Sequence, residues 1–538
     1  MGPGCTSAWV RNTLGEVKAL TLLFLGLPLF ADTYPRQAGV DAQNYTFRVE
    51  LRDDTDEIAG EATADLRFVH AGVAVVGLDL ASGMTVSEVS SGGKPLNFTH
   101  DSDRLGIAVS GAVAANEHRL FTVKYHGVPA KGLRIGLNKY QDRTFFSANW
   151  PDLAHQWLPI IDHPYDKATS EFVITAPAKY QVVANGRLID ITDLGDGRRV
   201  THWKESTPIA SWLNAIGVAQ FASRTFGTLR GIPLQTWVYH QDAAGASATF
   251  DDNTRRAIEF YSDHVGPYSY EKLANVIAAG LSGGTEHASA IFYGEPTVGS
   301  QRAPNLVAHE IAHQWFGDSV TERDWDDVWL SEGFATYFTL LVTEHYRGRD
   351  AFVEGLKSSR NTVFRTEGQL PGSAVIHNNL SDTRRVLNQL VYQKGGWVLH
   401  MLRAQVGTEK FWAGIRQYYK RYRDANASTD EFRKVMEEAS GQELSLFFRQ
   451  WLYRAESPVV EGTWTYDPVG RKVALHLAQT QKSDVYRLPL EVTVGDRVER
   501  VLMTERKQRF ELAASEEPPN LELDPGTWVL MQSKIEKR

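Results

Sequence analysis

The chain has 538 residues, of which 42% are hydrophobic and 23% are charged, so it can form about three or four folded domains and does not have the composition of a disordered protein. Its formal net charge of -8 argues against a dedicated binder of nucleic acid or of anionic membranes. The single cysteine, Cys5, lies near the N-terminus, so a metal site in the folded regions must use His, Asp or Glu.

The N-terminal segment, residues 1–31, is predicted to be a secretory signal peptide. The apolar stretch at residues 19–31 follows Arg11 and Lys18 and is too short to span a bilayer comfortably. We therefore expect an exported protein, periplasmic or secreted, without a membrane span in the mature chain. The alternative is an uncleaved anchor formed by the same segment.

Residues 38–240 are predicted to form an all-β domain, because short alternating or apolar runs are separated by turn residues. Asn185-Gly186 and Gly195-Asp196-Gly197 are typical of hairpin turns. Residues 241–455 are predicted to be mainly α-helical, with the apolar residues repeating at helical spacing. The helices expected outside the motif described below cover residues 254–265, 388–406, 408–423, 432–440 and 444–453.

A local signal supports one of these helices, and a change of pattern marks the region that follows them. Ser428-Thr-Asp-Glu431 is a capping box that opens the helix at residue 432. In residues 456–538 strand patterns return, with turns at residues 467–470 and at Gly495-Asp496. This last region is predicted to be a small β-sandwich.

A helix carrying His309, Glu310 and His313 is the clearest sign of chemistry. Positions i and i+4 lie on the same face of a helix, so the two imidazoles can converge on one metal ion. Pro304 suits the first turn of this helix, and Gly317 can end it in a left-handed conformation.

A second helix is predicted to supply the third ligand, Glu332, with Ser331 as its N-cap. Two histidines and one carboxylate form a catalytic zinc set, because three protein ligands leave the fourth tetrahedral position open for water. Glu310 then remains as the free general base. We therefore predict one Zn²⁺ per chain, bound by His309, His313 and Glu332.

These residues resemble a known family. Its motif is His-Glu-x-x-His, eighteen residues and then Glu, and eighteen residues separate His313 from Glu332. The family is peptidase family M1, the aminopeptidase N family of gluzincin zinc metallopeptidases. Further stretches that resemble its signatures are Trp329-Leu-Ser-Glu-Gly-Phe-Ala-Thr336, Gly283-Gly284-Thr285-Glu286-His287, Tyr392-Gln-Lys-Gly395, and Trp157-Leu-Pro with Asp162-His-Pro.

The resemblance implies an N-terminal β saddle, a thermolysin-like catalytic domain and a C-terminal β-sandwich. Many members add a large helical domain at the C-terminus, for which we expect no room here. By resemblance, Tyr392 donates to the oxyanion and Glu286 pairs with the free α-ammonium of the substrate. Gly283 and Gly284 would let the backbone approach an extended peptide.

Some positions depart from the family pattern. Thr285 and His287 replace the usual Met and Asn, and Ala148 and Trp150 align with a Gln and a Glu that help to hold the amine in many members. Glu286 would then be the only carboxylate that anchors the amine. This leaves strict exopeptidase behaviour and side-chain preference open, and His287 is interpreted as structural.

The predicted function is that of a zinc-dependent aminopeptidase that removes the N-terminal residue of peptides with a free N-terminus. The alternatives on the same scaffold are a zinc endopeptidase and an epoxide hydrolase-like enzyme. A catalytically silent peptide-binding protein is the alternative from another class. No nucleic-acid partner is expected, and the sequence leaves the oligomeric state open.

Overall fold

The structure is a computed structural model that describes residues 33–377 and 386–538. The predicted signal peptide or anchor, residues 1–31, lies outside the described residues. Across the two described ranges, no helix combines the length and the apolar character needed to cross a membrane.

The chain from residue 40 to residue 219 is built from β-strands, as predicted. Along β11, for example, every second residue is buried, which is the pattern of a strand with one face on the core. The strands of this region are β1 (Val40–Glu50), β2 (Ile58–Phe68), β3 (Val75–Asp79), β4 (Thr85–Ser91), β5 (Lys94–Pro95), β6 (Phe98–Asp101), β7 (Arg104–Ala108), β8 (His118–Gly127), β9 (Gly132–Leu137), β10 (Arg143–Ala148), β11 (Lys167–Pro177), β12 (Gln181–Ala184), β13 (Arg187–Asp193), β14 (Arg198–Ala210) and β15 (Ile216–Ala219).

These strands form an 8-stranded sheet in the order β13-β14-β11-β1-β2-β8-β4-β5, a 4-stranded sheet in the order β12-β15-β10-β9 and a 3-stranded sheet in the order β3-β7-β6. The predicted hairpin at Gly195-Asp196-Gly197 is confirmed, because β13 and β14 are antiparallel partners. The predicted hairpin at Asn185-Gly186 is wrong. The strands on either side of it, β12 and β13, pair with β15 and β14 in different sheets.

A mixed sheet follows, formed by β16 (Phe221–Leu229), β17 (Ile232–Tyr239), β18 (Leu273–Ala278), β19 (Gly284–Thr285) and β20 (Ala290–Gly294). Its order is β16-β17-β18-β20-β19, with β18 parallel to β17 and to β20. The short strand β19 is antiparallel to β20 and forms one edge. Because β16 and β17 belong to this sheet, it extends across the predicted domain limit at residue 240. The described residues form one compact unit, so the domain limits stay predictions.

Helices dominate the chain from residue 243 to residue 452. They are α1 (Ala243–His264), α2 (Ala303–His313), α3 (Trp329–Arg347), α4 (Arg349–Gln369), a π-helical turn (Leu390–Lys394), α5 (Gly395–Val406), α6 (Thr408–Tyr422), α7 (Thr429–Ser440) and α8 (Ser445–Leu452). A parallel pair of short strands, β21 (Val320–Glu322) and β22 (Ala425–Ala427), lies among them. Short 3-10 turns are found at Ala154–Gln156, Ser211–Leu213, His240–Asp242, Glu295–Thr297 and Trp325–Asp327.

Most of the predicted helices are confirmed, with shifts at their ends. Helix α1 begins eleven residues before the predicted start at residue 254, and the stretch predicted as one helix from residue 388 opens with the π-helical turn. The capping box at Ser428 is confirmed, because its side chain accepts from the Glu431 N–H and the Glu431 carboxylate accepts from the Ser428 N–H. Helix α4 was not predicted.

The last part of the chain consists of strands in two sheets, as the sequence predicts for this region. The strands are β23 (Val459–Asp467), β24 (Lys472–Gln479), β25 (Leu488–Val494), β26 (Arg497–Met503), β27 (Lys507–Ala513), β28 (Leu521–Leu523) and β29 (Gln532–Lys537). They pair in the orders β27-β24-β23-β29 and β26-β25-β28. The turns predicted at residues 467–470 and at Gly495-Asp496 both join antiparallel neighbours.

Aromatic packing holds α3 in place. The ring of Phe316 lies 4.7 Å from those of Phe334 and Phe338, and Phe334 lies 5.0 Å from Phe432 on α7. Aromatic pairs at such distances contribute about 0.5–1.5 kcal/mol each beyond the area that they bury. The core thus fixes the helix that carries Glu332 against the segment that follows α2.

Candidate metal centre and active site

The three predicted metal ligands converge on one point between α2 and α3. His309 Nε2 and His313 Nε2 lie 3.3 Å apart, and Glu332 Oε2 lies 3.4 Å from the first and 3.3 Å from the second. Ligand atoms that lie about 2.0–2.1 Å from a tetrahedral ion are about 3.3–3.4 Å from one another. The triangle of donor atoms therefore fits a tetrahedral zinc ion with one position left open.

The charge state of the third ligand also suits a metal. Burial opposes ionisation of Glu332, but the neighbouring rings of His313 and His309 lower the pKa of its carboxyl to about 2. A carboxylate must be deprotonated to bind a metal ion, and this one is ionised at neutral pH.

Ser331 holds the second histidine rather than capping a helix. Its Oγ lies 2.9 Å from His313 Nδ1, which is also 3.2 Å from the Phe316 carbonyl oxygen. The predicted N-cap role is wrong because the 3-10 turn Trp325–Asp327 runs directly into α3. The Ser331 N–H donates to the Val328 carbonyl at 3.0 Å, so Ser331 already lies within the helical turn, and its hydroxyl contacts the imidazole instead of capping the helix.

Gly317 is required beside this serine, although it does not end α2. The helix ends at His313, and Gly317 follows in the left-handed region with a φ of +117°. A Cβ at this position would overlap Ser331 Oγ and would lie 3.3 Å from His313 Nδ1. The glycine therefore leaves space for the contact that orients the metal ligand.

Glu310, the predicted base, is buried on α2 and lies against the edge strand β19. A Cβ at Gly284 would overlap the Glu310 carboxylate, so only glycine leaves space for the side chain in this place. At Gly283, by contrast, a Cβ would have no heavy atom within 4 Å. Burial, then the nearby Glu286 carboxylate, raise the pKa of Glu310, which favours a group able to hold a proton.

Glu286 belongs to the same site. One of its carboxylate oxygens lies within 4.8 Å of a Glu310 oxygen and of a His313 ring nitrogen. The residue is 7% exposed, and burial raises the pKa of its carboxyl. It follows β19, whose outer edge pairs with no strand among the described residues, so an extended peptide can align there.

Tyr392 lies on the π-helical turn, and its ring stacks on that of His309 with centroids 6.2 Å apart. Burial, then the nearby Glu332 carboxylate, raise the pKa of its phenol well above the ordinary value. The hydroxyl therefore keeps its proton and can act as a hydrogen-bond donor. The turn and the first residue of α5 pack against α3 at Gly333, where a Cβ would lie 3.1 Å from the Val391 carbonyl oxygen and 3.0 Å from Gly395 Cα.

Two family models match the chain: the Peptidase M1 N-terminal domain over residues 41–213 and the Peptidase family M1 domain over residues 250–451. The second range contains the three candidate ligands, Glu310, Glu286 and Tyr392. The chain belongs to peptidase family M1.

Several proteins are similar to this M1 chain. The probable aminopeptidase 2 of Sulfurisphaera tokodaii is 26% identical over 456 residues, which cover 80% of this chain and 57% of that protein. Glutamyl aminopeptidase of Bitis rhinoceros is 29% identical over 327 residues, which cover 58% of this chain and 34% of that protein. The chain thus spans only 34% to 57% of the length of these curated relatives.

A crystal structure of an M1 zinc metallopeptidase from Deinococcus radiodurans is similar in fold. Its TM-score is 0.68 at 24% sequence identity, and the match covers 77% of this chain and 93% of that chain.

Two of the positions that depart from the M1 pattern, His287 and Trp150, lie against aromatic rings. His287 is fully buried, its ring lies 4.8 Å from that of Phe292, and burial lowers its pKa to about 4, so it is neutral. Trp150 packs edge-on against Trp212 at 4.8 Å and against Trp325 at 4.9 Å. Trp150 thus supplies an indole where many members have a carboxylate. Its partner Trp325 begins the turn that leads into α3.

Proposed function

We propose that this protein is a zinc-dependent aminopeptidase that removes the N-terminal residue of peptides. The observation that carries the proposal is the position of Glu286, whose carboxylate lies within 4.8 Å of both Glu310 and His313 beside the three candidate ligands. Two buried carboxylates so close together favour a cation between them, and the free α-ammonium of a peptide supplies one.

A zinc ion held by His309, His313 and Glu332 would supply an activated water and polarise the scissile carbonyl. Glu310 accepts the proton released in the attack and returns it to the nitrogen of the leaving amine. The Tyr392 hydroxyl donates to the carbonyl oxygen as negative charge develops on it. Removing one such donor costs about 10²–10³ in rate.

Glu286 makes the difference between an exopeptidase and an endopeptidase. A substrate with a blocked N-terminus would leave the Glu286 carboxylate buried and unpaired, at a cost of roughly 2–5 kcal/mol. This corresponds to about 30- to 5,000-fold in rate. The backbone of β19 would align the substrate beside the metal centre, with Gly284 leaving room for Glu310.

The remaining expectations are part of the same proposal. We propose one zinc ion per chain, peptide substrates, and export of the chain through its N-terminal segment, either cleaved or retained as an anchor. We also propose that the β-rich first part forms a saddle, the helical part a thermolysin-like catalytic domain and the last strands a β-sandwich.

The test compares Leu-p-nitroanilide with its N-acetyl derivative, using zinc-loaded protein and the variant Glu310→Gln. We expect cleavage of the free amine alone and no turnover by the variant. Cleavage of both compounds at similar rates would mean that Glu286 does not select a free N-terminus and would favour an endopeptidase. Cleavage of neither by protein that holds zinc would contradict the aminopeptidase proposal.

A further inference from the structure

Gln314, the residue directly after His313, is fully buried, and both the nitrogen and the oxygen of its side-chain amide form hydrogen bonds. Its Nε2 donates to the Glu286 carbonyl oxygen at 3.0 Å and to Asp318 Oδ2 at 2.6 Å. Its Oε1 accepts from the Ser289 N–H at 2.8 Å and lies 3.2 Å from the Tyr268 hydroxyl, which donates to the Lys272 carbonyl oxygen at the shorter distance of 2.9 Å. Both donor positions of the amide are therefore used, and its oxygen accepts from the Ser289 backbone.

Two of these bonds go to the two ends of one short segment, residues 286–289. The Gln314 amide accepts from the Ser289 N–H and donates to the Glu286 carbonyl oxygen, so one side chain bonds to both ends of this turn. Ser289 has a φ of +63°, a conformation that side-chain-bearing residues rarely adopt, so the turn depends on outside contacts to hold it.

The far end of the same segment is also fixed. Ser289 Oγ accepts a hydrogen bond from the Gly186 N–H at 2.7 Å and donates one to Glu205 Oε2 at 3.1 Å. The buried Lys272 ammonium donates to the Ser289 carbonyl oxygen at 3.2 Å. Ser289 is therefore anchored to the N-terminal strands, whereas the Glu286 end is tied to α2 through Gln314.

We propose that Gln314 is a positioning residue that sets the distance between the Glu286 carboxylate and the metal ligands, and thereby the register in which a free N-terminus is bound. This inference rests on the proposed function, in which Glu286 pairs with the α-ammonium. Because Gln314 directly follows the ligand His313, a shift of the Glu286 turn changes the spacing between the amine and the scissile bond. A misplacement of about 1 Å can cost about 10²-fold in rate.

The test measures the preference for an α-amine separately from turnover. Two inhibitors are compared, leucine hydroxamate and 4-methylpentanoyl hydroxamate, which differ only in the α-amino group. Their inhibition constants are determined for the zinc-loaded wild type, Gln314→Leu and Gln314→Glu. The second variant keeps an acceptor towards Ser289 and Tyr268 but replaces the donor nitrogen by oxygen, opposite the Glu286 carbonyl and the Asp318 carboxylate.

Gln450→Leu is the matched control. Gln450 is a buried glutamine on α8 whose amide also bonds to backbone groups, donating to the Arg487 carbonyl at 3.3 Å and accepting from its N–H at 3.1 Å. Its loss removes comparable hydrogen bonds at a place remote from the metal ligands in sequence. Zinc content is measured for every variant.

We expect the wild type and Gln450→Leu to prefer the amine-bearing inhibitor equally. Both Gln314 variants should hold zinc and lose about 10- to 100-fold of this preference, with the amine-free inhibitor bound within about three-fold of wild type. An unchanged preference, or an equal weakening of both inhibitors, would overturn the positioning role. No preference in the wild type would instead contradict the proposed role of Glu286, and this inference would fail with it.

Discussion

The buried Lys394 ammonium donates to Glu367 Oε1 at 3.0 Å, and this lysine lies two residues after Tyr392 on the π-helical turn. The same Glu367 oxygen accepts from the Ser457 hydroxyl at 2.8 Å, and Lys394 also donates to the Arg454 carbonyl at 3.1 Å. The ion pair therefore ties the tyrosine-bearing turn to α4 and to the chain that enters the C-terminal strands.

Breaking this ion pair should destabilise the protein and misplace the tyrosine. Lys394→Met leaves the Glu367 carboxylate buried beside a methyl group, and removing one partner of a buried pair costs about 3–5 kcal/mol. We expect a lower free energy of unfolding in urea and a lower kcat. The double variant Lys394→Met/Glu367→Met should be more stable than Lys394→Met alone, because no charge is left buried. A double variant whose loss of unfolding free energy equals the sum of the losses in the two single variants would contradict this account.

The two histidine ligands could be predicted from the sequence because their arrangement is local, whereas Glu332 follows after eighteen residues and lies on a second helix. The spacing of His309 and His313 is set by the helix repeat, and the hairpin at Gly495-Asp496 and the capping box at Ser428 depend on neighbouring residues only. In each case the residues that make the contacts lie within a few positions of one another.

The features that could not be predicted depend on tertiary contacts. Helix α4 buries Phe352, Leu356, Ser359, Val363 and Thr366, which follow the helix period, but two of the five are polar and hide the apolar repeat. Ser331 and Gln314 look like ordinary polar residues until the fold places them against His313 and Glu286. Only a resemblance to relatives, and no pattern within this chain, could have indicated Tyr392.

The contact between Gly284 and Glu310 predicts different outcomes for two adjacent glycines. Gly284→Ala introduces a Cβ into the space of the Glu310 carboxylate, so this base must move. We expect kcat to fall about 10²-fold. Gly283→Ala is the matched comparison, because a Cβ there meets no heavy atom within 4 Å and leaves Glu310 in place, so any effect on peptide binding should raise KM and leave kcat within about three-fold of wild type. Equal losses of kcat in the two variants would show that any side chain added at or beside strand β19 lowers the activity, and that the contact with Glu310 is not the cause.

The hydroxyl of Ser331 is predicted to strengthen metal binding through His313. Ser331→Ala removes the partner of His313 Nδ1 at 2.9 Å and leaves the Phe316 carbonyl at 3.2 Å to orient the ring. Losing a contact of this kind costs about 10- to 100-fold in metal affinity. The zinc dissociation constant, measured by competition with a chelator, tests this. Ser440→Ala, a buried serine at the end of α7, is the control, and an equal loss there would contradict the assignment.

His155 and Asp162 predict a loss of stability at alkaline pH. His155 Nδ1 lies 2.7 Å from Asp162 Oδ2, and the side chains are 17% and 2% exposed. Burial by itself favours the neutral imidazole, but the hydrogen bond and the charge of Asp162, with smaller effects of Asp79 and Asp152, raise the pKa of His155 to about 9. Because the folded pKa is above the unfolded value of about 6.5, the full stabilisation is present below pH about 6.5 and is lost as the pH rises through about 9.

The contribution of this pair to the free energy of unfolding is at most about 3 to 4 kcal/mol, since the pKa rises from 6.5 to about 9 and one pKa unit corresponds to about 1.36 kcal/mol. Urea unfolding of the wild type and of His155→Gln at pH values from 6 to 10 measures it. Glutamine can still donate to Asp162 but does not titrate, so the difference in unfolding free energy between the two proteins should shrink as the pH rises. A difference that stays constant over this range would mean that His155 is not protonated in the folded protein, and that its contact with Asp162 is a neutral hydrogen bond.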